Sequence, residues 1–290
     1  VTNKGLETML HYTAIRNRDW TLTIGGNYTY NDNKVVSISA DVPRLGLSSG
    51  GAAQVYAVPG QSFPILMGTD YARTADGKII VDRITGYPKG DLVDGNILGN
   101  TVPKHRLGLD LELKWKSFRF WALAEYRGGY YIYHDMGSMM DFSGSSIRTV
   151  MYNRDRFVIP NSAYEDPNRP GVFIDNNDVQ VKDGGSGFWA NGDGTYNRGI
   201  ATNYVIKEDF WKIRELSLSY DVPRSFLSKL KYIKGATISV QGRNLFLWTP
   251  DSNIYTDPEY NFSDGNAIGV TTLSQSPPSR YFGGTISLTF

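Results

Sequence analysis

The 290-residue sequence predicts an all-β fold, an antiparallel transmembrane β-barrel whose strands are joined by loops of very unequal length. Three observations indicate this class. Apolar and polar residues alternate over several segments, aromatic residues stand at the ends of such segments, and short connections alternate with long ones. A period of two is typical of strands with one apolar face, and aromatic residues collect at both interfaces of a sheet that spans a membrane.

The charge balance and the lack of cysteine exclude several classes of protein. Lys and Arg number 30 and Asp and Glu 29, so the sequence has no basic excess of the kind that nucleic-acid binders carry. Without cysteine it has neither disulfide bonds nor a thiolate metal site. The mean hydropathy is −0.34, and no run approaches the roughly 20 apolar residues of a membrane-spanning helix. We expect no nucleic-acid partner.

The clearest alternation runs from position 107 to position 115, where the odd positions are apolar and the even ones are Gly, Asp, Glu and Lys. In a membrane barrel the apolar face meets lipid and the polar face lines the lumen. We therefore expect Leu109, Leu111 and Leu113 to face lipid. Asp110 and Glu112 are expected to face the lumen.

The same criterion predicts seven strands, each about as long as the tilted strands of membrane barrels. The second of them has Trp at one end and Tyr at the other, as expected where a strand crosses two membrane interfaces. The predicted strands span residues 5–15, 20–31, 105–115, 118–130, 210–222, 236–248 and 280–290.

The connections between these strands alternate in length, which places all long loops at one end of an up-and-down sheet. Barrels of the outer membrane have short periplasmic turns and long external loops, so the long loops are expected outside the cell and Phe290 in the periplasm. Seven strands cannot close such a barrel, because open edges in lipid leave backbone groups unpaired. Further strands are expected in an N-terminal part, either absent from the sequence or present as another chain. The short connections are residues 16–19, 116–117 and 223–235, and the long ones are 32–104, 131–209 and 249–279.

Several motifs occur in a characteristic order along the chain. They are GNTVPK at 99–104, DFWKIRELSLSYDVP at 209–223, GRNLFLWT at 242–249, YTDPEYN at 255–261 and the terminal PPSRYFGGTISLTF at 277–290. In order and spacing the series resembles the C-terminal part of SusC/RagA-type TonB-dependent transporters, over essentially the whole chain, residues 1–290. The resemblance implies the C-terminal strands of a 22-stranded barrel whose N-terminal plug lies outside this sequence.

The resemblance also implies a function and a set of partners. The function is active import of oligosaccharides or oligopeptides across the Gram-negative outer membrane, without enzymatic activity and without a cofactor. The implied partners are a SusD-like surface lipoprotein that covers the external mouth, the TonB–ExbB–ExbD system, outer-membrane lipid, a glycan or peptide ligand, and a second transporter–lipoprotein pair in a dimer. The family usually carries an acidic Asp-x-Asn-x-Asp-Gly run before the first motif. This chain has DRITGYP at 82–88 instead. The resemblance therefore does not decide whether a loop of this chain binds a cation.

Aromatic residues of the second long loop are the candidate substrate-binding residues, because flat rings can stack on sugars or peptide side chains. The alternatives are a place in the interface belt for Tyr130 and packing within the loop for the other rings. Two acidic residues could supply hydrogen bonds beside the rings. The candidates are Tyr131, Tyr133, Asp135, Trp189, Asp193 and Tyr196. Phe290 is expected to be the C-terminal assembly signal, since the last strand ends on an aromatic residue.

The sequence predicts neither a metal site nor a catalytic site. His11, His105 and His134 have no ligand partner at metal-site spacing and are expected on the surface or in the lumen. The segment 191–195 resembles a calcium loop but lacks the downstream Glu, so it is read as a turn. Two other classes remain open. One is a passive porin or barrel adhesin, and the other is a soluble carbohydrate-binding β-sandwich or secreted glycosidase module.

Overall fold

The computed structural model describes residues 1–39, 41–48, 51–190, 197–228, 230, 232–261, 265–274 and 276–290, with the backbone alone at 91–94. Seven of its strands, each nine residues or longer, form the main sheet. They are β1 (Thr2–Arg16), β2 (Trp20–Lys34), β8 (His105–Trp115), β9 (Phe118–Gly128), β14 (Phe210–Asp221), β15 (Gly235–Trp248) and β17 (Tyr281–Thr289).

The other elements lie in the connections, and all but one of their strands are seven residues or shorter. The short strands are β3 (Leu45–Gly46), β4 (Ala53–Ala57), β5 (Ile65–Tyr71), β6 (Ile79–Ile80), β10 (Tyr131–His134), β11 (Ser162–Glu165), β12 (Phe173–Asp175), β13 (Val205–Lys207) and β16 (Val270–Thr271). The exception is β7 (Gly90–Asn100), an eleven-residue strand within the first long connection. The helices are α1 (Asp135–Ser143), α2 (Ser186–Trp189) and α3 (Arg224–Leu227), with 3₁₀ segments at Ile147–Arg154, Asn197–Gly199 and Ala201–Tyr204.

The main sheet is antiparallel, and its strand order, β1-β2-β8-β9-β14-β15-β17, follows the chain. All seven predicted strands are present, and their ends differ from the predicted ones by three residues or fewer. Extra residues shift the register at Thr13/Ile15 and at Ile213/Glu215, as β-bulges do. The alternation in the sequence therefore located the strands of this sheet correctly.

Each face of the sheet has a distinct chemical character, because residues directly opposite each other on paired strands share a face. One row across all seven strands is apolar or glycine, apart from its tyrosine: Tyr12, Ile24, Leu111, Ala122, Leu216, Gly242 and Phe282. The neighbouring row is mainly polar on the other face: Thr13, Thr23, Glu112, Trp121, Ser217, Gln241 and Gly283. We call these surfaces the apolar face and the polar face.

Aromatic rings border the apolar face at both ends of the strands. At the edge with the short turns, ring centroids follow each other at 5.4 Å (Trp20 to Trp115), 5.8 Å (Trp115 to Phe118) and 4.7 Å (Phe118 to Tyr220). At the opposite edge, the ring of Tyr126 lies 5.2 Å from that of Trp211. Two aromatic rows at the ends of one apolar face are the arrangement predicted from the sequence.

The three long connections all leave the sheet at one edge, which we call the loop edge. We define loop 1 as residues 35–104, loop 2 as 129–209 and loop 3 as 249–280. They contain three small sheets of their own, in the orders β3-β4-β5-β7, β12-β11-β6 and β13-β10-β16. None of the strands in these small sheets was predicted from the sequence. Most of their strands are short, and two of the three sheets pair strands of different loops, so they give no extended alternation.

The buried core of the chain lies in the loops, which together form what we call the loop body. One core cluster combines residues of all three loops: Ala53, Val55 and Leu66 from loop 1, Tyr133, Ala201 and Tyr204 from loop 2, and Val270 from loop 3. Among the described buried hydrophobic residues, only Phe210 belongs to the seven strands of the main sheet. The apolar face is therefore not covered by the part of the chain described. Within this part, no helix combines the length and the apolar character needed to cross a membrane.

Candidate functional site at the loop edge of the sheet

The GNTVPK motif fixes loop 1 against loop 2 where both leave the sheet. Gly99 has a φ of 145°, and a Cβ atom at this position would lie 2.3 Å from the ring of Tyr131. The Nδ2 atom of Asn100 donates hydrogen bonds to the carbonyl oxygens of Val102 at 2.7 Å and Gly129 at 3.0 Å. The glycine is needed for close approach, and the asparagine ties the end of one loop to the beginning of the next.

A cluster of opposite charges joins the wall of the sheet to loop 3. The Nζ atom of Lys212 lies 2.5 Å from Asp257 Oδ2 and 2.7 Å from Glu259 Oε2. Arg214 forms a two-point pair with Glu259, with Nη2 lying 2.6 Å from Oε1, and Arg127 Nη2 lies 3.0 Å from the same oxygen. Glu125 completes the group by accepting from Arg127 Nε at 2.6 Å. We call these six residues the charge cluster.

Burial and hydrogen bonding give the charge cluster its electrostatic character. Only 3% of the Lys212 side chain and 21% of the Glu259 side chain are exposed. Burial by itself raises the pKa of Glu259, but hydrogen bonds from Arg214 and Lys212 and the charge of Arg127 outweigh it and lower this pKa to about 2. Glu259 is thus held as a carboxylate, and loop 3 is fixed to the sheet by paired charges that are largely screened from solvent.

A second polar group lies inside the loop body, around His134 at the end of β10. Its Nε2 atom lies 2.9 Å from Glu208 Oε1, and its Nδ1 atom lies 3.2 Å from Thr271 Oγ1. All three side chains are fully buried. The sequence placed His134 on the surface or in the lumen, and this prediction is wrong. The partners of the histidine are 74 and 137 residues away in the chain, beyond the reach of a spacing motif.

The other two histidines lie on the main sheet. His11 is on the polar face, with Nε2 3.4 Å from Asp110 Oδ1. His105 lies at the loop edge, where its Nδ1 atom is 2.8 Å from the hydroxyl of Tyr28. Among the described residues, no group of three or more His, Asp or Glu side chains is arranged to hold a metal ion.

Two of the predicted substrate-binding rings are buried in the loop body. Tyr133 is fully buried, and its hydroxyl donates to Asp135 Oδ1 at 3.0 Å and accepts from the amide of Ala52 at 3.1 Å. Burial, reinforced by the charge of Asp135, raises the pKa of Tyr133 above its ordinary value. Trp189 is 4% exposed, with the guanidinium of Arg148 5.5 Å from its ring centroid. Neither ring can stack on a ligand in this arrangement, in line with the packing alternative.

The remaining sequence candidates have different placements. Tyr131 and Asp135 are half-buried near the loop edge, and substrate binding by them stays a prediction. Asp193 and Tyr196 lie outside the described residues, as does the calcium-like segment 191–195. Tyr130 is buried with Ile132 and Phe210 rather than placed in an interface belt.

The predicted lipid-facing and assembly residues lie on or beside the main sheet. The predicted lipid-facing residues Leu109, Leu111 and Leu113 all lie on the apolar face, where Leu109 is 41% exposed. Phe290 follows β17 at the short-turn edge and is 71% exposed. Contact of the leucines with lipid and the assembly role of Phe290 both stay predictions.

Residues 82–88, which stand where the resemblance implies an acidic run, make a tight turn. Asp82 Oδ1 accepts hydrogen bonds from the backbone amides of Ile84 at 2.9 Å and Thr85 at 2.8 Å. Partial burial raises the pKa of Asp82, but these bonds outweigh it and lower the pKa below its ordinary value. The carboxylate is therefore engaged with its own backbone.

Sequence reasoning missed the charge cluster and the buried histidine group. The motifs at 209–223 and 255–261 contain Lys212, Arg214, Asp257 and Glu259, and these complementary charges were the signal that could have predicted the pairing. The charge cluster offers polar groups for recognition and holds loop 3 in a fixed position. The His134 group, by contrast, is fully buried.

Comparison with known proteins identifies relatives of this fold. No family model matches the sequence. The TonB-dependent receptor P3 of Formosa agariphila is 21% identical over 91% of this chain and 26% of its own length. The RagAB peptide importer in its open-open state has a TM-score of 0.64 and 20% identity, over 99% of this chain and 28% of that chain. In the closed-closed state the TM-score is 0.63, with 19% identity and 29% of that chain covered. This chain spans between a quarter and a third of these relatives.

The sheet and the loop body define the class of the fold, a mostly antiparallel β fold of the RagA type. The chain resembles a fragment of a SusC/RagA-type TonB-dependent transporter, and the resemblance carried by its sequence motifs is confirmed.

Proposed function

We propose that this chain forms the C-terminal strands and external loops of a TonB-dependent transporter that imports oligosaccharides or oligopeptides across the outer membrane of a Gram-negative cell. In this proposal the strands belong to a 22-stranded barrel, with the plug and the remaining strands outside residues 1–290. The apolar face, including Leu109, Leu111 and Leu113, contacts lipid. The loop body is extracellular, and the short turns and Phe290 are periplasmic.

The observation that carries the proposal is the uncovered apolar face between its two aromatic rows. Large exposed apolar surfaces mark contact with a membrane or a partner. Rings at both ends of the strands fit the two lipid interfaces, and the charged opposite face fits a water-filled lumen. In the sheet as described, the outer strands β1 and β17 each pair on one side only. Because an unpaired edge is costly in lipid, this supports further strands elsewhere in the protein.

The partners follow from the relatives. RagAB is described as a peptide importer, and the resemblance to SusC/RagA-type transporters implies a surface lipoprotein beside the transporter. By analogy, a SusD-like lipoprotein covers the loop edge here, and a plug outside this chain contacts TonB–ExbB–ExbD. Two transporter–lipoprotein pairs then form a dimer. The chemistry is binding and conformational gating, so no catalytic residue and no cofactor is assigned.

The loop body favours active import over a passive porin or an adhesin barrel. The three loops share one core, and the charge cluster fixes loop 3 to the sheet. Together they form a folded structure at the external mouth of the proposed barrel. A soluble sandwich module needs its apolar sheet face packed against a second layer. Among the described residues that face has no such layer.

The test is uptake by cells that express the full-length protein with its neighbouring lipoprotein. We expect uptake of a labelled glycan or peptide mixture, and loss of that uptake when the TonB gene is deleted or the proton gradient is dissipated. The protein should need detergent for extraction from the outer membrane. Uptake that continues without TonB would contradict active import and favour a passive porin. Recovery in the soluble fraction would favour the sandwich module.

A further inference from the structure

The short-turn edge of the main sheet carries an excess of positive charge. Its three connections, residues 16–19, 116–117 and 223–235, contain seven Lys or Arg residues and a single acidic residue, Asp19. The chain as a whole is balanced, with 30 Lys and Arg against 29 Asp and Glu. The proposed function places this edge in the periplasm but gives its charge no role.

Four cations of this edge have no acidic partner in the described part of the chain. They are all exposed and take part in no ion pair there: Arg16, Arg18, Arg224 and Lys234. The carboxylate of Asp221, at the end of β14, accepts a hydrogen bond from the hydroxyl of Thr237 at 2.7 Å. The positive charge of the edge is therefore available to a partner.

This charge lies directly beside the aromatic row that borders the apolar face. The Nζ atom of Lys116 lies 5.8 Å from the ring centroid of Trp115. The backbone amide of Asp221 donates to the carbonyl oxygen of Ser117 at 2.8 Å, so the connection 223–235 begins next to the preceding short turn. The cations therefore stand where the apolar face ends.

The connection 223–235 also exposes large apolar side chains. Phe226 of α3, Leu230 and Tyr232 are each 50% exposed or more. An open hollow of about 410 Å³ lies in the same connection, and two of the free cations line it together with apolar side chains. The lining residues are Arg224, Leu227, Ser228, Leu230, Ile233 and Lys234.

Cations beside exposed apolar side chains, at the border of an apolar surface, fit an anionic phospholipid. Arg and Lys bind phosphate oxygens through charge-assisted hydrogen bonds, and clusters of them beside a membrane attract anionic lipids. Apolar side chains next to such cations can enter the boundary between headgroups and acyl chains. A soluble acidic partner would match the charges alone. The continuity of these charges with the apolar face and its aromatic row favours lipid.

We propose that the short-turn edge is a binding surface for anionic phospholipid. Arg224 and Lys234 hold the phosphate of a lipid headgroup at the hollow, and Phe226 lies among the upper acyl-chain carbons. The inference rests on the proposed function, because it requires the apolar face to meet lipid. It adds a preference for one class of lipid at one end of the strands.

The test uses Phe226→Trp as a fluorescent reporter in the full-length protein, reconstituted into vesicles of phosphatidylcholine that contain one fifth phosphatidylglycerol. In one preparation all the phosphatidylglycerol has brominated acyl chains, and in the other an equal amount of the phosphatidylcholine does. The reporter signal is the difference from the parent protein. We expect brominated phosphatidylglycerol to quench it about twofold more strongly, and high salt to reduce this preference by screening.

Two double variants in the reporter background test the cations. Arg224→Gln with Lys234→Gln should remove at least half of the preference for phosphatidylglycerol. Arg83→Gln with Lys89→Gln should retain it, because these two residues of loop 1 are also exposed and free of ion pairs among the described residues but lie away from the short-turn edge. Both changes remove two charges, and a heat-modifiability gel establishes that each variant is folded.

Equal quenching by the two lipids, or an unchanged preference in the Arg224 and Lys234 double variant, would overturn the inference. So would a reporter that neither lipid quenches. If Trp115 is quenched in the same vesicles, the apolar face meets lipid as the import proposal requires, and the present inference fails alone. A lipid preference that is confirmed while uptake proves independent of TonB would leave this surface standing and contradict active import.

Discussion

Neighbouring residues of β8 face different environments, and this contrast can be tested one residue at a time. Leu111 lies on the apolar face opposite Ile24 and Ala122, whereas Asp110 lies on the polar face beside His11. An arginine in the middle of a lipid-facing strand costs about 2 to 4 kcal/mol, while a lumen substitution is tolerated.

We therefore expect Leu111→Arg to reduce the amount of heat-modifiable protein in the outer membrane, and Asp110→Asn to leave it unchanged. The measurement is a heat-modifiability gel of outer-membrane fractions, normalised to total expression. Equal defects in the two variants would mean that the two faces are assigned in reverse or that neither meets lipid.

Glu259 is the residue on which the attachment of loop 3 depends most. Glu259→Gln removes the charge that Lys212, Arg214 and Arg127 share. The three cations then keep only Asp257 and Glu125 as counter-charges. Breaking a buried pair on one side is strongly destabilising, by about 3 kcal/mol or more. We expect faster hydrogen exchange in residues 249–261, with no change for Asp251→Asn, an exposed position of the same loop. Equal exchange in both variants would show that the charge cluster does not hold the loop.

The pKa of Glu259 also predicts how this attachment depends on pH. The folded-state pKa, about 2, is below the ordinary value of 4.5, so the contribution is complete above about pH 4.5 and is lost as the pH falls toward 2. The shift corresponds to roughly 3 kcal/mol. Hydrogen exchange of residues 249–261, corrected for its intrinsic pH dependence, should be constant from pH 7 to pH 5 and rise below pH 4.5. A rise between pH 7 and pH 5 would assign the attachment to another group.

At the scale of elements, three short strands hold loops 2 and 3 together. β10 pairs antiparallel with β13 of the same loop and parallel with β16 of loop 3, so that Tyr133 faces Val270 and His134 faces Thr271. The buried His134–Glu208 contact lies within this small sheet. β10 and β16 form a short parallel pair although they are far apart in the sequence. This pair is stable only because side chains of other loops bury it.

A double-mutant comparison tests the role of this contact in the loop body. His134→Leu leaves Glu208 buried without its partner, which should destabilise the loop body by about 3 to 5 kcal/mol. Replacing both residues by leucine removes the unpaired charge and should recover most of that loss. Resistance of loop 2 to limited proteolysis is the measurement. A double variant as sensitive as the single one would show that the histidine contributes by packing alone.

At the scale of the whole molecule, the apolar face determines the environment of the tryptophans. Trp20 and Trp115 lie in the aromatic row at the short-turn edge, and Trp211 lies in the row at the loop edge. Trp121 shares the polar face with Glu112 and Ser217.

We expect brominated lipid to quench the fluorescence of Trp115 in the reconstituted full-length protein and to leave that of Trp121 unaffected. Trp115→Phe should then lower the quenched fraction, whereas Trp121→Phe should lower only the unquenched signal. The opposite pattern would place lipid on the polar face and contradict the proposed orientation of the sheet.

The sequence by itself determined the main sheet. An extended strand places successive side chains on opposite faces, so the alternation in residues 107–115 carries both the strand and its two environments. The lengths of the connections placed the loops at one edge, and the order of the motifs carried the resemblance. These features are local or simply periodic, because any sheet with one apolar and one polar face imposes them on each of its strands.

Only the tertiary structure decided the interior of the loops and the candidate sites. Lys212 meets Glu259, and His134 meets both Glu208 and Thr271, across 47, 74 and 137 residues. No periodicity marks such pairs, because the short strands of the loop body are stabilised by burial against other loops rather than by their own pattern. The same burial placed both Tyr133 and Trp189 in cores, since a ring that a sequence presents as exposed can equally complete a distant core.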